Sequence, residues 1–169
     1  MYPRTHAQTS PDKTAVIMAE SGESTTYAQL DQRSSSLAQY LYDQGLRRGD
    51  VLAIFLENHV RYFEAAWAAY RSGLYMVTIS RYSTEDDLTY TLEDAGVSAV
   101  VSSDALAAVA VPAAARVPGC QVRLMVDGVQ SGWTSFEDTV ANYPRFPVTE
   151  ESRGEHMPYS SGTTGVPKG

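Results

Sequence analysis

The residues Tyr159-Ser160-Ser161-Gly162-Thr163-Thr164-Gly165-Val166-Pro167-Lys168-Gly169 combine hydroxyls, three glycines and one lysine in a single short segment. A loop that wraps a polyphosphate needs main-chain N–H groups free to point inward, small residues that let oxygens approach, hydroxyl donors, and a cation to offset charge. This segment supplies all four. In the commoner nucleotide loop the second glycine directly precedes the lysine, and a Ser or Thr follows it to hold magnesium. Here Pro167 precedes Lys168 and Gly169 follows it. The proline removes a donor and fixes one dihedral, and the glycine is a poor start for a helix, which argues against Lys168 at the mouth of a P-loop helix. A phosphate-gripping hairpin or loop fits better. A Ser/Thr/Gly linker has a similar composition but no need of this lysine and proline placement.

The elements that must position this segment alternate along the sequence. Residues 13–19 and 23–26, separated by Ser21-Gly22, predict a short hairpin. A helix is expected over 27–44, with Leu30, Ser34, Leu37 and Leu41 at three-to-four-residue spacing and Gly45 to cap its end. The apolar run 51–56 predicts a strand covered on both faces. Val60, Phe63, Trp67 and Tyr70 give the next helix its expected buried stripe, ended by Gly73. A strand at 75–79 and a helix opened by Ser83 or Thr84 follow, with Glu85, Asp86 and Asp87 in the first turn and Gly96 at the end. A strand at 97–101, an Ala-rich helical piece at 104–110 stopped by Pro112, and a strand at 121–126 complete the regular part. Residues 142–158 read as a loop, with Pro144, Pro147, Gly154 and Pro158, leading through a short strand near 156–159 into the glycine-rich segment. Strand and helix in alternation define an α/β fold with a mostly parallel sheet covered by helices on both faces. Ligands of such sheets bind outside the carboxyl ends of the strands, where a loop after a strand near 156–159 would lie.

Composition bounds the function. An apolar content of 43% with 20% charged residues, over 169 residues, suits a globular domain with a sizeable core. A net charge of −7 argues against a broad nucleic-acid surface and against docking on anionic lipid. Cys120 is the one cysteine, so the chain has neither an internal disulfide nor a Cys-based zinc site, which fits a reducing compartment. It reads as a small buried hydrophobe. The sequence has no apolar run near the ~20 residues that span a bilayer and no signal-peptide pattern, so the cytoplasm is the expected location.

Other candidates read as structural. Asp86 and Asp87 suit a helix's first turn rather than a metal pair. Glu150, Glu151 and Glu155 read as solvated loop charges. His6, His59 and His156 have neither metal-ligand spacing nor a serine-nucleophile motif beside them. No catalytic residue and no metal ligand is assigned.

The run Ser160 to Gly169 resembles the signature of the adenylate-forming (AMP-binding) superfamily, which holds acyl-CoA synthetases, peptide-synthetase adenylation domains and luciferases. Support extends along the chain through Pro11-Asp12-Lys13-Thr14-Ala15-Val16, Thr26-Tyr27 with Leu30, Gly45-Leu46 and Gly49-Asp50-Val51. Glu57-Asn58, Trp67-Ala68-Ala69, Arg71-Ser72-Gly73-Leu74-Tyr75 and Leu92-Glu93-Asp94-Ala95-Gly96 resemble the fatty-acid–CoA ligase branch. One departure is Thr78-Ile79-Ser80-Arg81, where the family more often has a Pro and Asn pair.

The resemblance implies that residues 1–169 form the N-terminal portion of a large adenylation domain, ending at a phosphate-binding loop over 159–169. It implies a carboxylic acid, expected to be a fatty acid, activated with ATP and Mg2+ to an acyl-adenylate and passed to coenzyme A. The hydroxyls of Ser160, Ser161, Thr163 and Thr164, the N–H groups around Gly162, Thr163 and Gly165, and the Lys168 ammonium would grip the β- and γ-phosphates. The segments that bind adenine and ribose, the acid that helps hold magnesium, the acyl pocket and a mobile C-terminal domain follow the signature in the family. The 169-residue chain alone is therefore expected to be inactive and to pack against the remainder of its enzyme. The alternatives are a non-catalytic phosphate-binding or interaction module, a fatty-acyl-AMP ligase, or a peptide-synthetase adenylation domain.

Overall fold

The computed structural model describes residues 3–145 and 151–159. A helix α1 (Pro3–Thr9) leads into an antiparallel hairpin, β1 (Thr14–Ile17) and β2 (Ser24–Thr26). Helix α2 (Tyr27–Asp43) begins in a capping box: the Thr26 hydroxyl accepts from the Gln29 N–H, and the Gln29 side chain accepts from the Thr26 N–H. It ends at Gly45, whose φ of 94° lies in the left-handed region. Leu30, Ser34, Leu37 and Leu41 are all buried, as their spacing predicts.

Strand and helix then alternate through β3 (Val51–Phe55), α3 (Arg61–Arg71), β4 (Tyr75–Thr78), α4 (Glu85–Asp94), β5 (Val97–Ser103), α5 (Ala107–Ala115), β6 (Val122–Val126), β7 (Thr134–Ser135), α6 (Phe136–Asn142) and β8 (Glu155–His156). Among the described residues six strands form one sheet in the order β7-β6-β5-β3-β4-β8, every neighbouring pair parallel. Alternate strand residues face opposite ways. Leu52, Ile54, Met76, Val101 and Leu124 pack under α2, α3 and α6, whereas Ala53, Phe55, Val77, Val100 and Met125 pack under α4 and α5. The chain leaves β3 for β4 on one side and returns to β5 on the other, so the strand order reverses between β3 and β5.

Three expectations need correction. The buried face of α3 is not the Phe63, Trp67, Tyr70 stripe but Ala65, Ala66, Ala68 and Ala69 together with Glu64 and Arg71. Alanines let α3 lie close to α2 and the sheet, and the aromatics are left at the rim, with Phe63 37% exposed. Only Val60, ahead of the helix, is buried as expected. Pro112 does not stop the Ala-rich helix: α5 runs through it to Ala115, and its cost of one N–H donor is offset by burial of Ala110, Ala113 and Ala114. Regular structure also continues past β6, where Ser135 caps α6 by accepting from the Asp138 N–H at 3.1 Å, and it precedes the hairpin as α1.

The turn after β4, which departs from the family pattern, is held by Ser80. Its carbonyl accepts from the Ser83 N–H at 2.9 Å and its hydroxyl from the Tyr82 N–H at 3.3 Å. Thr84, the next N-cap, forms a capping box with Asp87, and that hydrogen bonding holds the Asp87 carboxyl below the usual range. Cys120 is fully buried, and burial pushes its thiol up to about 11.

Candidate functional site

The predicted phosphate-binding residues Ser160, Ser161, Gly162, Thr163, Thr164, Gly165 and Lys168 lie outside the described residues, as do Pro147 and Glu150. What the structure describes is the path that delivers the chain to Ser160. Strand β8 pairs with β4 in parallel, Tyr75 opposite Glu155 and Met76 opposite His156. The ladder is prolonged by the Met157 N–H, which donates to the Met76 carbonyl at 2.9 Å. His156 Nε2 lies 3.3 Å from the Thr78 hydroxyl.

Beyond β8, Met157 and Tyr159 pack against the cluster beneath α4 and α5. The Tyr159 hydroxyl donates to Asp94 Oδ2 at 2.6 Å. Burial, followed by that hydrogen bond and the Asp94 charge, holds the phenol above its ordinary range, so Tyr159 is a neutral donor at neutral pH. The glycine-rich segment therefore starts from an anchored residue beyond a parallel strand, the position where open α/β sheets place ligands.

Gly154 makes this path possible. A Cβ there would lie 2.4 Å from the Leu74 carbonyl oxygen and 2.7 Å from that of Ala69. Only glycine brings the chain this close, and its N–H donates to the Tyr70 carbonyl at 2.8 Å. Its sequence reading as a loop residue missed this role, because a close approach leaves no local signal. Glu151 is exposed, as expected of a loop charge, but it is also paired: it lies 3.4 Å from Arg4 and 3.6 Å from Arg71.

A second polar group occupies the carboxyl ends of β3, β5 and β6, where the strand order reverses. The Ser103 hydroxyl donates to Glu57 Oε2 at 2.5 Å. His59 Nδ1 accepts from the Arg61 N–H at 3.1 Å, which leaves Nε2 to donate to Asp127 Oδ2 at 3.0 Å. Asp127 takes a φ of 58°, and its own N–H donates to Glu137 at 3.3 Å. Each of these groups is thus hydrogen-bonded within the chain. Glu57 and His59 also border a groove of about 360 Å³ beneath the β1–β2 hairpin, whose apolar wall includes Ile17, Leu56 and Phe63. Sequence reasoning did not bring His59 and Asp127 together, since they are far apart in the chain.

An open parallel sheet, covered on both faces and carrying polar loops at the carboxyl ends of its strands, defines an α/β protein of the doubly wound kind. The model of the AMP-binding enzyme family matches residues 3–169, and the chain belongs to that family. It is 30% identical over 162 residues to the 3-oxocholest-4-en-26-oate–CoA ligase of Rhodococcus rhodochrous, an alignment covering 91% of this chain and 29% of that enzyme. It is 27% identical to the medium/long-chain-fatty-acid–CoA/3-oxocholest-4-en-26-oate–CoA ligase of Mycobacterium marinum, over 94% of this chain and 31% of that one. The crystal structure of the anthranilate CoA ligase AuaEII in complex with anthranoyl-AMP superposes with a TM-score of 0.87 at 19% identity, covering 98% of this chain and 32% of that one. That likeness shows the fold. Acyl-CoA ligases of the adenylate-forming superfamily are thus among the relatives, and the chain spans less than a third of their length. Among the described residues no helix is long and apolar enough to cross a membrane.

Proposed function

We propose that the protein carrying this chain is an acyl-CoA synthetase that activates a fatty acid with ATP. The carboxylate oxygen attacks the α-phosphorus of ATP, the bond to pyrophosphate breaks, and an acyl-adenylate forms. The thiol of coenzyme A then attacks the acyl carbon, and AMP leaves. The observation that carries this reading is the Ser160–Lys168 sequence, entered from Tyr159 beyond a parallel strand. The fatty acid–CoA ligases among the relatives support the choice of acid and acceptor.

In this reading the chain holds departing charge rather than forming a covalent intermediate. Preorganised N–H groups at Gly162, Thr163 and Gly165, the hydroxyls of Ser160, Ser161, Thr163 and Thr164, and the Lys168 ammonium grip the β- and γ-phosphates, and interactions that strengthen as pyrophosphate departs lower the barrier. Magnesium arrives with ATP as its counter-ion. Residues 1–169 act as the N-terminal part of the adenylation domain and pack against the remainder of the enzyme. A compartment that supplies ATP and coenzyme A suits this chemistry, and the cytoplasm is the one proposed.

The test is product identification. The natural gene product, incubated with ATP, Mg2+, coenzyme A and a panel of fatty, aryl and amino acids, should yield AMP and a fatty acyl-CoA by mass spectrometry. The 169-residue chain alone should yield none. Acyl-AMP without thioester in the presence of coenzyme A, or turnover confined to amino acids, would replace this reading with another adenylating branch.

A further inference from the structure

Arg71, at the end of α3, is a fully buried cation, 0% exposed. Its Nη2 lies 2.5 Å from Asp31 Oδ1 in α2, and its Nη1 donates to the Asp31 carbonyl at 3.2 Å and to the Ser35 hydroxyl. Its Nε faces Glu151 Oε1 at 3.6 Å and makes no hydrogen bond. Arg4 of α1 approaches the same two carboxylates, at 3.4 Å from Glu151 and 3.9 Å from Asp31. Three helices and the segment entering β8 therefore meet around the Asp31 and Glu151 carboxylates. The main chain is joined there too: the Ser152 N–H donates to the Arg71 carbonyl at 3.1 Å, and the Glu155 N–H to the Leu74 carbonyl at 3.1 Å.

Stability alone does not account for an arginine at this place. Removing a guanidinium from water is costly, and apolar residues of similar volume often do as well or better in buried ion clusters. What a guanidinium adds is direction, since its fixed fork of donors ties carboxylates on separate elements to one geometry. Such a tie adds to the ladder here, because among the described residues the regular pairing of β8 with β4 covers two residues, Glu155 and His156, with single main-chain bonds from Ser152, Gly154 and Met157 on either side. A ladder this short leaves part of the register to contacts outside it, and the carboxylate cluster is one of them.

We propose that Arg71, acting through Asp31 and Glu151, is a positioning residue that fixes the register of β8 and thereby the place of Tyr159, the residue from which the Ser160–Lys168 sequence continues, and so affects ATP binding, an inference that rests on the function proposed above. Arg71 touches no reacting atom in this account.

Two variants test it: Arg71→Met, which replaces the cation with an apolar chain, and Glu151→Gln, which keeps the shape and removes the charge. Glu151 is an exposed residue, so its variant serves should Arg71→Met fail to fold. Hydrogen–deuterium exchange of the chain should accelerate roughly tenfold at the Gly154, Glu155 and Met157 amides while β3 and β5 keep their protection. In carboxylate-dependent pyrophosphate exchange by the natural gene product, KM for ATP should rise roughly tenfold with KM for the acid unchanged, a sub-ångström shift costing less than the ~10²-fold of a full 1 Å misplacement. Unchanged amide exchange overturns the latch itself. Faster amide exchange with ordinary ATP kinetics overturns the positioning role and leaves only a structural contact. A wild-type protein without pyrophosphate exchange on any acid overturns the functional reading and the positioning role together, while the amide measurement still decides the latch.

Discussion

Replacing Gly154 with alanine adds one methyl group where the structure has no room for it. The new Cβ would stand 2.4 Å from the Leu74 carbonyl oxygen, 2.7 Å from that of Ala69 and 3.1 Å from the Leu74 nitrogen. Ordinary contacts of this kind begin near 3.4 Å, so the overlap with the first oxygen is about 1 Å. Both oxygens belong to backbone that ends α3 and begins β4, and neither can rotate away. If β8 stays, overpacking costs about 1–3 kcal/mol. If it moves out, the Gly154 bond to Tyr70 and the Glu155 bond to Leu74 are lost, at about 1 kcal/mol each. The two routes give about 1–3 and about 2 kcal/mol, a large share of the ~5–15 kcal/mol that holds a domain together. With a urea slope of about 2 kcal/mol/M, the midpoint should fall by roughly 1 M. Urea unfolding followed by the fluorescence of Trp67 and Trp133 reads it. Gly119→Ala is the control, because its Cβ would meet nothing within 4 Å and its φ is not in the left-handed region. A Gly154→Ala midpoint equal to that of the control would refute the close approach of β8 to the end of α3.

Two further outcomes follow from burial. Leu37→Ala, at a fully buried position, should cost about 2–5 kcal/mol, whereas Phe63→Ala at the rim of α3 should cost under about 1 kcal/mol; comparable losses in urea unfolding would contradict the alanine-faced packing of that helix. The Cys120 thiol, raised from 9.0 to about 11 by burial, binds its proton more tightly in the folded state, so its contribution is complete below about pH 9 and lost as pH rises toward 11. Between those limits the chain should lose up to about 3 kcal/mol more stability than Cys120→Ala, and parallel losses in the two proteins would place the thiol in water.

The sequence made the α/β alternation legible because each central element carries its own signal. The run Val51-Leu52-Ala53-Ile54-Phe55 admits little but a covered strand, and Thr84 with Asp87 spells a helix start within four residues. The family was legible for the same reason, since the signature that resembles it lies in contiguous residue types. What escaped depends on partners distant in the chain or on elements too short to show a period. Helix α6 spans two turns, and only Ser135 with Asp138 announced it. The α3 stripe misled because an aromatic and an alanine face share one helix, and which of them is buried depends on how closely α2 approaches. Arg71 with Asp31 and Glu151, and His59 with Asp127, join residues separated by tens of positions. No local pattern marks such pairs, nor the backbone approach that reserves position 154 for glycine.

The most direct test of the central claim, that Ser160–Lys168 grips the phosphates of ATP during adenylation, is carboxylate-dependent exchange of labelled pyrophosphate into ATP by the natural gene product and its Lys168→Ala variant. Loss of one charge-assisted contact to the departing pyrophosphate should slow exchange by roughly 10²–10³-fold, with thermal unfolding unchanged. Equal exchange rates in the two proteins would contradict the claim.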